Sequence, residues 1–292
     1  MAANALINPP TTLAHFDWRS DARALGRVFW REWTIFMRYP SWVVTLLIWP
    51  VILPAGYILS ARALAGPDGS GLALFAQAAG TADYVGYIAV GTIVWMWQNM
   101  ALWSIGFALR EEQMRGTLES NWLTPARRLW FLLGSGLMHG LVMLGFIVIS
   151  GVEFTLFFGA RFNGNPLLVG LVLLAAMPSI YGLGFAFASL VLAAKEANAF
   201  VFLVRGLVMI FCGITYPISV LPGWMQTVAA WLPQTYVIHA IRSAVLTGAN
   251  LPKLLPDLLP LLGFGVAWLA AGYLAFVWME RRVHRTGALG QY

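Results

Sequence analysis

Charged residues are scarce in this chain of 292 residues. They make up 10% of the sequence, whereas hydrophobic residues make up 60%. A soluble domain usually has about a quarter of its residues charged, so this chain does not carry enough charge to cover a water-facing surface. Most of its surface is therefore expected to face lipid or other helices, which predicts an all-α membrane protein.

Cysteine is nearly absent as well. The one cysteine, Cys212, lies in an apolar run, has no partner for an internal disulfide and is expected to be buried. The Cys/His spacings of zinc sites do not occur, the four histidines form no HExxH motif, and there is no GxxxxGK[ST] loop to hold nucleotide phosphates. These absences argue against a metal site, a membrane-embedded enzyme and ATP binding by this chain.

Long apolar runs dominate what is present. A membrane-spanning helix needs about 20 apolar residues, and six segments meet that requirement. They are residues 41–60, 84–109, 129–158, 166–193, 199–218 and 256–279. No soluble domain interrupts them, so residues 1–292 are predicted to form a single transmembrane domain.

The positive charges indicate how the spans are oriented. The net charge of +6 comes from Lys and Arg residues that lie mostly in the short stretches on one side of the six spans. This distribution argues against a nucleic-acid partner. Because cytoplasmic loops carry an excess of Lys and Arg, both termini are expected in the cytoplasm, which agrees with an even number of spans.

Residues 20–38 precede the first span and are not a span themselves. Arg23, Arg27 and Arg31 recur every four residues and share one face of a helix, while apolar side chains point elsewhere. The pattern predicts an amphipathic helix lying at the cytoplasmic interface. A solvated, charged entry to the first span is the alternative.

The connection between the second and third spans is the most polar piece between any two spans. Glu111 and Arg115 are spaced for an intrahelical ion pair, and Gly116 followed by Thr117 predicts a helix break with a new cap. A plain turn needs only a few residues. We therefore expect a short helix at 111–121 along the membrane face, where it docks on a partner; a solvated loop is the alternative.

The predicted outer connection before the last span is unusually apolar. Segments 223–232 and 234–247 are too short to cross a bilayer and are interrupted by Pro217, Pro222 and Pro233. Such segments are typical of re-entrant or interfacial helices. A re-entrant region is accordingly predicted over 219–247.

Two of these segments carry a family resemblance. EEQMRGTLESNWLTP at 111–125 is similar to the element after the second span in permease subunits of type-2 ABC exporters. CGITYPISVLPGWMQTVAAWLPQTYVIHAIRSAVLTG at 212–248 is similar to the region before the last span in that family. Both segments occur at the family's positions relative to the six predicted spans, so the chain resembles the family over nearly its whole length.

The resemblance implies a transport subunit and not an enzyme. In the family, the first segment is a coupling helix that rests in a groove of a separate ATPase subunit, which binds ATP and Mg²⁺. The resemblance places this role on Glu111, Glu112, Arg115, Gly116, Thr117, Leu118 and Glu119. The second segment implies an exit region with Pro217, Pro222, Trp224 and Pro233. The resemblance also implies a homodimer that lies in a lipid bilayer, the inner or plasma membrane of a prokaryote.

The substrate is the least constrained feature. Residues 38–54 look more like the drug- and lipid-exporting branch of the family, and a polysaccharide or glycolipid exporter is the alternative. The second and fifth spans are expected to line the pathway at the interface of a homodimer. Their candidate contact residues, each of which also fits core packing, are Trp95, Trp97, Phe107, Phe202 and Phe211.

A second alternative is an ion-coupled secondary transporter. Such a protein generally needs carboxylates near the middle of the membrane, and here Glu153 lies close to the outer end of the third span. His139 fits a packed histidine better than a ligand. Arg205 is two turns into the fifth span, from where its side chain is expected to extend toward the cytoplasmic interface.

Overall fold

The computed structural model describes residues 18–66, 70–114, 116, 128–193 and 198–286, and all regular structure in these ranges is helical. This confirms the all-α class. The ten α-helices are α1 (Trp18–Arg38), α2 (Pro40–Leu64), α3 (Ser70–Ala79), α4 (Tyr84–Met114), α5 (Arg128–Phe158), α6 (Pro166–Ala193), α7 (Asn198–Phe211), α8 (Gly223–Ala230), α9 (Pro233–Leu246) and α10 (Leu251–Thr286). A 3-10 helix, Ile218–Val220, precedes α8.

Each predicted span overlaps one of these helices. Four of them, α2, α5, α6 and α10, are long and apolar enough to cross a membrane within the described residues. Helix α4 has 31 residues, but polar side chains such as Gln98 and Asn99 reduce its hydropathy. Helix α7 has 14 residues, or about 21 Å at 1.5 Å per residue, which is short of a bilayer core. The count of six crossings therefore stays a prediction.

Helix α7 is shorter than the predicted span 199–218 because the chain turns sharply after Phe211. Gly213 has a φ of +65°, a left-handed conformation that a residue with a side chain adopts only with strain. Cys212, just before it, is buried as expected. The turn directs the Gly213 and Ile214 carbonyls away from the helix axis, and they bind an arginine described below.

The helix predicted over 20–38 forms as α1, which packs along α5. Gly134 on α5 lies against Val28 and the Leu25 backbone of α1, so closely that a Cβ at this position would be 2.8 Å from Val28 Cβ. Tyr39 separates α1 from α2, and Pro40 occupies the first turn of α2, where its missing N–H costs nothing.

The centre of the fold is α6, which packs along α10 and also contacts α4 and α9. Its backbone approaches α10 at Gly182, where a Cβ would lie 2.8 Å from the Leu269 nitrogen, and at Gly272 of α10, where a Cβ would lie 3.0 Å from the Ala186 nitrogen. Small residues at such crossings let membrane helices pack by van der Waals contact. A buried cluster around α6 draws most of its residues from α4, α6, α9 and α10, with further members from α2, α5 and α7.

The helices meet at two ends that we name for use below. The basic end holds α1, the end of α4 at Met114 and the start of α5. The hairpin end holds the start of α4 at Tyr84 and the helical hairpin α8–α9, which lies within the region 219–247 that was predicted to be re-entrant. Helix α3 was not predicted from the sequence, because its ten residues are too short to form a span and lie in a connection.

Candidate functional site

A cavity of about 640 Å³ lies between α1, α2, α4, α5 and α7. It extends from the basic end of the helices to the middle of α4. Most of its wall is apolar, and aromatic side chains are prominent in it: Phe36, Trp42, Trp49, Trp95, Trp103, Phe107 and Phe146. Its volume and apolar lining are typical of a site for a small organic molecule.

The basic end of the cavity is lined by a charged cluster. The Arg31 guanidinium on α1 contacts Glu32 Oε1 at 2.5 Å and Glu112 Oε1 at 3.1 Å. Glu112 belongs to α4 and its side chain is buried. Because charged hydrogen bonds are stronger in surroundings that exclude water, this cluster joins the interfacial helix to the end of α4.

A second cation lies near the middle of the bundle. Arg205 on α7 lines the cavity, and its guanidinium carbon is 5.1 Å from the centroid of the Trp95 ring and 5.6 Å from that of Phe202. The Trp95 indole N–H donates to the Arg205 carbonyl at 3.3 Å. The guanidinium is therefore held at the cavity wall by aromatic faces, and its extension toward the cytoplasmic interface stays a prediction.

Two further polar side chains line the cavity. Asn99 Nδ2 donates to the Trp95 carbonyl at 2.8 Å, and His139 Nδ1 lies 2.8 Å from the Ser135 carbonyl. Because a carbonyl oxygen can only accept, this contact places a proton on Nδ1 and leaves Nε2 of the neutral ring as an acceptor. His139 therefore belongs to the cavity wall and is not packed away from it.

The structure places some of the five candidate pathway residues at the cavity and the others elsewhere. Trp95 and Phe107 line the cavity. Phe202 is 60% exposed next to it and meets Trp103 edge to face. Trp97 is fully buried, with its N–H directed to the Tyr181 hydroxyl at 3.3 Å, so it packs in the core. Phe211 lies at the hairpin end, against Trp224.

The predicted coupling residues are only partly within the described chain. Helix α4 contains Glu111 and Glu112 and ends at Met114, and Gly116 follows with a φ of +69°, so the predicted helix break is confirmed. The side chain of Glu111 and the residues Arg115, Thr117, Leu118 and Glu119 lie outside what the structure describes.

The prolines of the predicted exit region bound the short helices at the hairpin end. Pro217 precedes the 3-10 helix, Pro222 caps α8, and Pro233 is buried in the first turn of α9. Proline suits all three places because they require no backbone N–H donor. Trp224 on α8 is 64% exposed, which suits a side chain at a membrane interface.

Sequence reasoning missed the side chain that holds this hairpin. Arg242 on α9 is buried, and its guanidinium stacks 3.4 Å from the centroid of the Tyr87 ring. It donates to the carbonyls of Tyr87 at 2.9 Å, Gly213 at 2.8 Å and Ile214 at 2.6 Å. One side chain thus connects α9, the start of α4 and the turn after α7, and we call these four residues the Arg242 bracket.

A small residue on α4 makes room for this bracket. A Cβ added at Gly91 would collide with the Ile214 carbonyl and with the Arg242 guanidinium. The sequence did contain one signal for this residue. Arg242 is an arginine in an apolar segment, on the predicted outer side of the membrane, where few positive charges occur. That signal marks an unusual residue, but it does not reveal which carbonyls the arginine binds.

A third polar contact at the hairpin end joins α9 to α10. His239 Nδ1 lies 2.6 Å from Asp257 Oδ2. This hydrogen bond raises the pKa of His239 above its ordinary value of 6.5, although partial burial and the charge of Arg242 oppose the shift. The pair links the α8–α9 hairpin to the start of the last long helix.

Two comparisons with known proteins agree with this architecture. The family model described as "ABC-2 family transporter protein" matches residues 62–274. The linearmycin resistance permease protein LnrN of Bacillus subtilis (strain 168) is 27% identical over 140 residues, which cover 46% of this chain and 36% of that protein. The match thus spans about a third of the relative's length. Because the family model covers most of the chain and the helices include several that can cross a membrane, this chain is a multi-pass membrane protein that belongs to the ABC-2 family of transporter proteins.

Proposed function

We propose that this chain is the membrane-spanning subunit of an ATP-driven exporter that moves a hydrophobic or amphipathic compound outward. The observation that carries the proposal is the cavity of about 640 Å³, whose wall is mostly aromatic and aliphatic and which reaches the middle of α4. Such a wall binds apolar molecules by burying their surface. A separate ABC ATPase supplies the energy, since the sequence has no phosphate-binding loop of the Walker type.

Helix α4 is the element that connects the proposed motor to the cavity. It ends at Met114, just before the segment that resembles a coupling helix. Glu112 near this end is bound to Arg31 of α1, while Trp95 and Phe107 of the same helix line the cavity. A movement of the ATPase against residues 111–121 would therefore reach the cavity wall through one continuous helix.

The proposed assembly is a homodimer in the inner membrane of a prokaryote, with both termini in the cytoplasm. Helix α2 offers a further contact surface, because it buries few residues and exposes Val44, Leu47, Ile48 and Ile52 outside the cavity wall. A second copy or lipid would cover this face. Export of a drug-like compound is supported by the similarity to a protein named for linearmycin resistance.

The direct test is ATP-dependent transport in inside-out vesicles that contain this chain and an ABC ATPase encoded beside it. We expect uptake of an apolar fluorescent dye that requires both chains and ATP. Trp103→Ala, which removes an aromatic wall residue, should lower uptake severalfold without preventing assembly. Variants at Gly116 and Glu119 should instead weaken co-purification of the ATPase. Unchanged uptake in all of these variants would contradict the proposal.

A further inference from the structure

Arg205 lies well inside the predicted membrane-spanning region, where a charge is costly. It contacts Trp95, which is 11 residues along α4 from Tyr84, or about 16 Å at 1.5 Å per residue. In a hydrocarbon core of about 30 Å, a residue at this depth is near the middle. Ionisable residues in this position generally face a cavity or bind a partner group, because lipid cannot solvate them.

Within the described residues, no carboxylate balances this charge. Arg205 forms no ion pair in that part of the chain. The two acidic residues of the cavity wall, Glu32 and Glu112, both contact Arg31 at the basic end. Stacking on Trp95 and Phe202 stabilises the guanidinium through cation–π attraction, but a ring face does not accept the strong hydrogen bonds that a guanidinium can donate.

The surroundings of Arg205 define what could satisfy these donors. The nearby cavity wall is formed by Trp95, Trp103 and Phe107, which suits an apolar body. An anionic head placed at the guanidinium would receive paired, charge-assisted hydrogen bonds. We propose, on the basis of the transport function above, that Arg205 binds the acidic head group of an amphipathic molecule whose apolar part occupies the aromatic cavity.

Asn99 and His139 add a second element of recognition. Asn99 uses its amide N–H₂ on the Trp95 carbonyl, which leaves its oxygen as an acceptor, and His139 presents Nε2 as an acceptor when its ring is neutral. Both therefore favour hydroxyl or amide donors on the bound molecule. The expected ligand is a hydroxylated amphiphile with one carboxylate, sulfonate or phosphate group.

The experiment compares three pyrene-labelled amphiphiles with the same alkyl chain and different head groups: a sulfonate, an alcohol and a trimethylammonium. The full chain is placed in phosphatidylcholine nanodiscs, and energy transfer from tryptophan to pyrene gives each dissociation constant. We expect wild type to bind the sulfonate at least about tenfold more tightly than the alcohol, and the trimethylammonium most weakly.

Variants isolate the charge. Arg205→Gln should remove the preference for the sulfonate while leaving alcohol binding unchanged, and Arg205→Lys should retain part of it. Arg161→Gln, which removes an arginine from the connection between α5 and α6, is the matched control and should behave as wild type. If Arg205→Gln binds all three probes with wild-type constants, Arg205 does not bind the head group.

Two further arms separate the possible outcomes. Wild type could bind the alcohol and the sulfonate with equal dissociation constants and lose both in Trp103→Ala. That result would support the cavity as the substrate site and would overturn only the proposed role of Arg205. Failure of wild type to bind any probe would contradict the cavity as a substrate site. Adding phosphatidylglycerol to the nanodiscs identifies the source of the anion. If this lipid competes with the sulfonate probe in wild type but not in Arg205→Gln, the natural ligand is a membrane lipid. If the lipid does not compete, the ligand is a smaller amphiphile.

Discussion

Two arginines in apolar surroundings show opposite ways of placing a cation in this fold. Arg242 at the hairpin end is buried and has three backbone carbonyls and a tyrosine ring around its guanidinium. Arg205, near the middle of the bundle, has two aromatic rings and forms no ion pair within the described chain. The first arginine is satisfied by the protein itself, whereas the second is left with hydrogen-bond donors directed at a cavity.

The difference indicates what each arginine contributes. A buried cation whose donors are mostly used stabilises the structure, and its removal leaves the carbonyls without partners. A cation with unused donors costs free energy in the folded protein, so its presence points to a bound molecule. The comparison therefore separates a residue that holds the hairpin from a residue that we propose to recognise substrate.

The largest effect is expected from removing the first arginine. Arg242→Met should lower the free energy of unfolding by at least about 3 kcal/mol, because several hydrogen bonds to a charged group are lost at once and each is worth ~1.5–3 kcal/mol. Thermal unfolding in detergent measures the loss. Arg242→Lys should recover only part of the stability, since an ammonium lacks the planar fork of a guanidinium. A melting temperature equal to wild type would show that the bracket is not stabilising.

The bracket can also be opened from the opposite side. Gly91→Ala should destabilise the protein by about 1–3 kcal/mol, because the added methyl group displaces the Ile214 carbonyl or the Arg242 guanidinium. Gly145→Ala on α5 is the matched control, as no atom lies within 4 Å of its added Cβ. The control should be neutral or slightly stabilising. Equal melting temperatures for the two variants would argue against close packing at Gly91.

His239 provides an intermediate case, a polar contact at the hairpin end that is partly open to water. Its side chain is 68% exposed, so the pair with Asp257 should contribute only about 0.2–1 kcal/mol. Because the pKa of folded His239 is raised, this contribution is complete below the ordinary value of 6.5 and is lost as the pH rises through the folded pKa.

The measurement for this pair is the melting temperature of wild type and His239→Gln across that pH range. The gap between the two proteins should be widest at acidic pH and should narrow as His239 loses its proton. A gap that widens toward alkaline pH would have the opposite sign and would show that the charged pair is not stabilising.

The smallest change in stability is expected for the second arginine. Arg205→Leu should not lower the free energy of unfolding by more than about 0.5 kcal/mol, because it removes a charge with unused donors and because the Trp95 N–H binds the backbone carbonyl of this residue, which the substitution retains. Thermal unfolding alongside Arg242→Met tests the contrast directly. If Arg205→Leu lowered the melting temperature as much as Arg242→Met does, Arg205 would also be a structural residue, and the proposed difference between the two arginines would be wrong.

Much of the helical framework was predictable because it depends on hydrophobic length. The predicted segment 20–38 became Trp18–Arg38, and 84–109, 129–158 and 166–193 lie within α4, α5 and α6. The helix break near Gly116 followed from glycine's conformational freedom. The end of α7 was misplaced, because Ile214 and its neighbours are as apolar as the helix before them. Their departure from it depends on Gly213 and on an arginine 29 residues later.

The site was less predictable than the framework. Trp95 and Phe107 were expected to contact substrate and line the cavity, but Trp97, two residues from Trp95, is buried in the core. Both tryptophans lie on the same apolar helix, so composition could not distinguish the two faces. That distinction required the positions of α5, α6 and α7 around α4.

By itself, the sequence determined that the chain is helical and apolar, where its long helices lie and where proline and glycine interrupt them, because these properties depend on local composition and backbone geometry. Only the tertiary structure decided which charges are satisfied. Arg205 and Arg242 both occur in apolar stretches of the sequence and cannot be told apart there. The carbonyls that surround one and the cavity that lies beside the other come from distant segments, and folding alone brings them together.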